Sequence, residues 1–270
     1  MHELKWHHRQ RPRPVDGIVE QQVRRWQFQA PNSDNQYWPV VTISRESGSL
    51  GLALGRRVAE RLGFTFWDQE IVSVVAERLH TDPRKVLALD EHAPAGIDVL
   101  LTAFRLAQGG LAHDYRAQLR ILFASIAHHG GAVVVGRGAH CVLTSAQALR
   151  VRLVAPLERR IADYERACQK THEVAVREVP AGDRERAEFV RRTFGKDVAD
   201  STAYDVVINV ATYAPIRAES LVLMAYLAKF GHLPADSRDS VVPGKAREND
   251  YVAASHMAAD AATLESRDVI

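Results

Sequence analysis

The chain reads as an α/β domain: a five-stranded parallel sheet with helices on both faces. Three features carry that reading. Five short, β-branched, nearly continuous apolar runs lie along the middle of the chain. Apolar positions at helical spacing separate them, and Gly/Ser turns close several of them. A strand covered on both faces needs apolar side chains on both, so a run without polar alternation points to a parallel sheet between helical layers.

Val40-Val41-Thr42-Ile43-Ser44 is the first strand. A Gly/Ser turn follows, and then Leu54, Val58, Ala59 and Leu62 fall on one helical face that Gly63 closes. Residues 64–67 (FTFW) form the second strand, ending at Asp68, and a helical pattern resumes at Ile71, Val74, Val75 and Leu79. A less regular stretch, 81–118, precedes a helix that ends near His129. Ala132 to Val135 is the third strand, halted by Gly136-Arg137-Gly138. Leu149 to Val154 is the fourth, with Pro156 opening a helix at its first turn. Residues 204–210 (YDVVINV) are the fifth, and 216–230 the last helix.

The 270 residues are 46% apolar and 25% charged, with 16 Gly and 11 Pro, which excludes a collagen-like, coiled-coil or mainly disordered chain. Lys and Arg exceed Asp and Glu by only +2, which argues against nucleic acid as the main partner. Cys141 and Cys168 are the only cysteines, too few for a disulfide framework or a Cys-based zinc site. The longest apolar run, 221–228, is less than half a membrane span, and the N-terminus lacks a signal-peptide core. A cytoplasmic protein with no membrane span is the expectation. The balance hides two biased ends: residues 1–30 carry a net +3 and residues 235–270 a net −3. We expect a basic N-terminal extension over 1–36, with an anionic surface as a candidate partner, a folded domain over 37–234, and an acidic tail over 235–270.

In parallel α/β sheets ligands bind at the carboxyl ends of the strands. After the first strand comes Ser44-Arg45-Glu46-Ser47-Gly48-Ser49-Leu50-Gly51, a small-residue loop that lets backbone N–H groups converge on an anion. It is not a strict G-x-x-x-x-G-K-[ST] loop, because no Lys-Ser/Thr pair follows. At the same edge, Arg137 between two glycines is free to fork a phosphate, and Asp68 ends the second strand, where it also suits a helix N-cap. A dense basic stretch runs from Arg159 to Arg192, either a solvated helical face or a loop closing guanidinium groups over phosphates. His7-His8 and His128-His129 are adjacent rather than one helical turn apart, so no metal site is expected. Trp38 and Trp67 read as packing residues, and Cys141 as a small apolar one.

Taken in order, VVTISRESGSLG (40–51), GFTFWDQEIV (63–72), VVVGRGAH (133–140), LRVRLVAPLERRI (149–161), DRERAEFVRRTFG (183–195) and YDVVINV (204–210) resemble the cytidylate kinase-like family, relatives of the P-loop nucleoside monophosphate kinases. The resemblance implies a P-loop domain with an acceptor-binding insertion over 81–118 and a lid over 159–195. It implies transfer of the γ-phosphate of ATP, with Mg²⁺, to a cytidylate-like nucleoside monophosphate. By the same resemblance Ser47, Gly48, Ser49, Leu50 and Gly51 cradle the donor phosphates, Asp68 lies beside the acceptor, and Arg137 holds the acceptor's phosphate. Arg160, Asp183 and Arg186 belong to the lid.

The departures are local. Gly51 stands where cytidylate kinase has its phosphate-loop lysine. Leu50 replaces a glycine, Leu52 and Ala53 replace small or hydroxyl residues near Mg²⁺, and Gly138 replaces an acid. Arg45 or a lid arginine is the candidate compensating cation. Two readings stand: a working nucleotide kinase, and a catalytically silent nucleotide-binding or regulatory protein with a degenerate P-loop.

Overall fold

The computed structural model describes residues 37–68 and 115–234. The N-terminal extension, the acidic tail, the helix expected over 71–79, most of the 81–118 insertion and His7-His8 lie outside the described residues. The elements are β1 (Val40–Arg45), α1 (Gly51–Leu62), β2 (Thr65–Trp67), α2 (Tyr115–His129), β3 (Ala132–Val135), α3 (Ala139–Val142), β4 (Ala148–Val154), α4 (Leu157–Cys168), α5 (His172–Phe194), β5 (Val206–Asn209) and α6 (Pro215–Phe230).

The five strands form one parallel sheet in the order β2-β3-β1-β4-β5. β1 is central and pairs with β4 along its whole length, Val40 opposite Ala148 and Arg45 opposite Leu153. The loops after β1, β3 and β4 therefore emerge side by side at one edge.

Side chains alternate between two buried layers, as the pleat requires. Val41, Ile43, Val133, Val135, Leu149, Val151 and Leu153 face α1 and α6, packing on Leu54, Val58, Val222 and Tyr226. Val40 and Val134 face the other way, onto Leu119, Phe123 and Ile126 of α2. Trp67 is fully buried there, its indole N–H donated to Thr65 at 3.1 Å, which agrees with a packing role. Glu219 of α6, fully buried, ties that helix to α1 through Arg57 (3.0 Å) and Arg61 (2.8 Å).

One expectation is revised: α2 begins at Tyr115, inside the stretch expected to be irregular. The basic stretch after Glu158 is helical, the first of its two readings: it forms two long helices, α4 and α5, joined by residues 169–171, with Pro180 accommodated inside α5. They pack on each other through Ile161, Ala175 and Val179. The arginines that reach the sheet edge come from the helices themselves.

Candidate active site

The loop after β1 is held in shape before any ligand arrives. Glu46 N–H donates to Leu153 O of β4 at 3.2 Å, and the Ser49 hydroxyl donates to Glu46 O at 2.8 Å. The Glu46 carboxylate accepts Ala155 N–H at 3.1 Å and faces Arg160 (3.3 Å) and Arg152 (3.7 Å), so it anchors the loop to the β4–α4 turn. Gly48 has φ +76° and Leu50 φ +56°. Leu50 thus keeps a left-handed conformation that glycine adopts without cost and a larger residue holds at about 1–2 kcal/mol. α1 begins directly after it, at Gly51.

Gly136, Arg137 and Gly138 all have positive φ (89°, 48° and 72°). The turn packs against the end of α5. The Arg137 guanidinium lies over the Phe189 ring, 5.4 Å from its centroid. A Cβ on residue 138, at φ +72°, would stand 2.2 Å from Phe194, so the position suits glycine.

Helices α4 and α5 rest directly on the β1 loop. Asp183 of α5 accepts Ser47 N–H at 2.7 Å and is gripped by Arg160 Nη1 at 2.5 Å. Arg160 also donates to Ala155 O (2.8 Å) and Ser47 O (3.2 Å). Arg186 donates to the Ser47 hydroxyl and to Gly182 O, both at 2.6 Å. Gly48 and Gly182 make this closeness possible: a Cβ would fall 2.2 Å from Arg160 O and 2.7 Å from Ser47 Oγ respectively.

Charge is concentrated where these pieces meet. Burial pushes Arg45 down to about 9, the nearby Arg186 and Arg137 push the same way, and Asp68 opposes them. Burial likewise lowers Arg186. The Nε atoms of Arg137 and Arg186 are buried without a hydrogen-bond partner among the described residues. Gathering three guanidinium groups is unfavourable unless an anion answers them. Arg45, Arg137, Arg186 and Asp68 therefore share one electrostatic neighbourhood. Ser47, Arg160, Asp183 and Arg186 are in direct contact.

Sequence reasoning missed a second set of residues, buried beneath the loop. Arg152 of β4 donates to Ser44 Oγ at 3.2 Å and lies over the Tyr204 ring. The Tyr204 hydroxyl sits 2.9 Å from Val198 O, 3.1 Å from His140 Nε2 and 3.2 Å from Ser44 Oγ. Burial, aided by Arg152, Lys196 and Arg150, pushes His140 down to about 4, so it is neutral. Two arginines alternating inside the apolar run LRVRLV were the available signal. Cys141, partly covered, has its thiol pushed up to about 11 by burial, so it is no nucleophile at neutral pH.

The model of the cytidylate kinase-like family matches residues 40–212, from the first residue of β1 to just past β5. The chain belongs to the cytidylate kinase-like family. The β1 loop, the Gly136-Arg137-Gly138 turn and helices α4 and α5 all fall inside the match. Among solved structures, an uncharacterized protein from Eubacterium ventriosum is 17% identical, with a TM-score of 0.51, over 70% of this chain and 98% of its own. At that identity the likeness is one of fold. A shikimate kinase from Bacteroides thetaiotaomicron aligns over the same shares at 15% identity, with a TM-score of 0.38. No curated protein matches the chain. Among the described residues no helix is long and apolar enough to cross a membrane.

Proposed function

We propose that this cytidylate kinase-like protein transfers the γ-phosphoryl group of ATP·Mg²⁺ to a nucleoside monophosphate, with cytidylate the first candidate. The convergence of Arg45, Arg137 and Arg186, with buried and unpartnered Nε atoms on two of them, is the observation that carries this reading. In the transfer, a phosphate oxygen of the acceptor attacks the γ-phosphorus in line. The bond from that phosphorus to the β,γ-bridging oxygen breaks, and ADP leaves with the electron pair. No proton has to move. The protein's work is positioning and charge stabilisation.

In this reading Ser47 to Gly51 offer backbone N–H groups to the donor phosphates. Arg137 holds the acceptor's phosphate by its fork, and Asp68 lies beside the acceptor. Arg186 and Arg160 bring lid charge to the phosphoryl group in flight. Mg²⁺ enters with the nucleotide as part of the substrate; among the described residues there is no cluster of three metal-ligating side chains. The two free cysteines suit a cytoplasmic setting, where the substrates are at hand.

One observation favours the second reading, a nucleotide-binding or regulatory protein without turnover. The Asp183 carboxylate already occupies the Ser47 N–H that a donor phosphate would use. Product formation from ATP·Mg²⁺ with CMP, dCMP, UMP, AMP and GMP separates the two. Diphosphate formation that falls about 10²-fold or more in Arg137→Ala, the scale of removing one aimed donor, supports the kinase. Absence of turnover with every acceptor, while nucleotides still raise Tm, supports the silent binder.

A further inference from the structure

The G-x-x-x-x-G-K-[ST] loop places its first glycine six residues before its lysine. In this chain the two positions are Arg45 and Gly51, a cation where the motif has glycine and glycine where it has the cation. The fold shows that the exchange is a matched one. A Cβ on residue 51 would lie 2.7 Å from both Cβ and Cγ of Arg45, so the Arg45 stem fills the space a side chain at 51 needs. A Cβ on residue 136 would lie 2.2 Å from Arg45 Nη1, so the same side chain runs on until its guanidinium rests against the Gly136 backbone, beside Arg137. Both glycines make room for one arginine.

Arg45 is itself held in the fold, with Asp68 as a favourable charge nearby, and its neighbours have partners too. In α1, Arg56 lies over the Phe66 ring, while Arg57 and Arg61 pair with buried Glu219. Arg160 grips Asp183 and faces Glu46. We propose that Arg45 supplies, from the end of β1, the positive charge on the donor's β- and γ-phosphates that a lysine at position 51 supplies in strict P-loops. This rests on the donor-site part of the phosphotransfer reading. Arg45 remains protonated at neutral pH, and its crowding by Arg137 and Arg186 is relieved when a polyphosphate enters.

Calorimetric affinities for ATP·Mg²⁺ and for CMP, measured on the wild type, Arg45→Gly, Gly51→Lys and the double variant, test this. Arg45→Gly is expected to weaken ATP about tenfold or more, the scale of one charge-assisted hydrogen bond, and to leave CMP unchanged. Gly51→Lys alone, with its stem forced against Arg45, is expected to weaken ATP as well. The double variant is expected to recover most of the loss. Should Arg45→Gly not fold, Arg45→Lys keeping ATP affinity and Arg45→Gln losing it give the same support, and equal affinities for those two overturn the proposal. Wild-type ATP affinity in Arg45→Gly, a loss confined to CMP or shared equally with it, or a double variant no tighter than Arg45→Gly each overturn it too. A wild type that binds ATP but transfers nothing defeats the kinase reading and leaves the affinities to decide on Arg45. A wild type that binds no ATP overturns both.

Discussion

Asp183 holds the β1 loop in place. Its two carboxylate oxygens are divided between Ser47 N–H and the Arg160 guanidinium, so in the proposed phosphotransfer an internal anion sits where the β1 loop would receive an external one. A donor phosphate must take that amide and also approach a negative charge. Asp183→Asn removes the charge, weakens the competing hydrogen bond and leaves Arg160 its contact with Glu46. ATP·Mg²⁺ is therefore expected to bind the variant about threefold to tenfold more tightly, as titration calorimetry would read. Unchanged or weaker binding would mean that the Asp183 contact is kept in the nucleotide complex. Asp183 and Arg186 were singled out by the family resemblance. Their contact with Ser47 was not legible, because Ser47 stands 136 residues before Asp183 and nothing local announces the pairing.

The elements were legible in proportion to how strongly their own residues dictate them. Strands β1, β3 and β4 are buried on both faces, so their apolar runs are continuous and mark them directly. α1 shows a single apolar stripe and a left-handed Gly63 stop. The α4–α5 pair was harder: the two helices share only a small apolar seam, and polar, arginine-rich surfaces look alike whether they face solvent or a phosphate. What seats these helices on the β1 loop is a backbone approach, and a pair of glycines tests it. Gly48 (φ +76°) and Gly195 (φ +67°) share a left-handed conformation but not surroundings. A Cβ at Gly195 meets nothing within 4 Å, whereas one at Gly48 meets Arg160 O at 2.2 Å. Gly195→Ala is expected to cost about 1 kcal/mol, the left-handed penalty alone. Gly48→Ala is expected to cost about 3 kcal/mol or more, because α4 must also move off the loop. Equal denaturant midpoints for the two would mean that α4 does not bear on the loop in solution.

At the scale of the molecule, one buried polar network joins pieces that the sheet alone does not. Ser44 is the last residue but one of β1, Arg152 belongs to β4, His140 to α3, and Tyr204 precedes β5; their side chains meet behind the β1 loop and tie this edge of the sheet together. Fold class was readable without these residues, since hydrophobic burial decides it. The network was not, since its members stand in different runs and only the arginines of LRVRLV look out of place. Its titratable hinge is His140, buried, stacked on Tyr204 with ring centroids 4.8 Å apart, and depressed from 6.5 to about 4. Between those two values the unfolded chain binds a proton at this residue and the native protein does not. Unfolding therefore gains protons, and stability falls as pH drops from 6.5 towards 4. Summed over that interval the loss is on the order of a few kcal/mol. His140→Phe keeps a ring beside Tyr204 and abolishes the titration, at the expense of one hydrogen bond. Its stability is expected to be lower than wild type at pH 7 but to decline less steeply on acidification, so that chemical-denaturation curves measured from pH 7 to pH 4 converge. Curves that stay parallel would show that His140 takes up its proton without leaving the network.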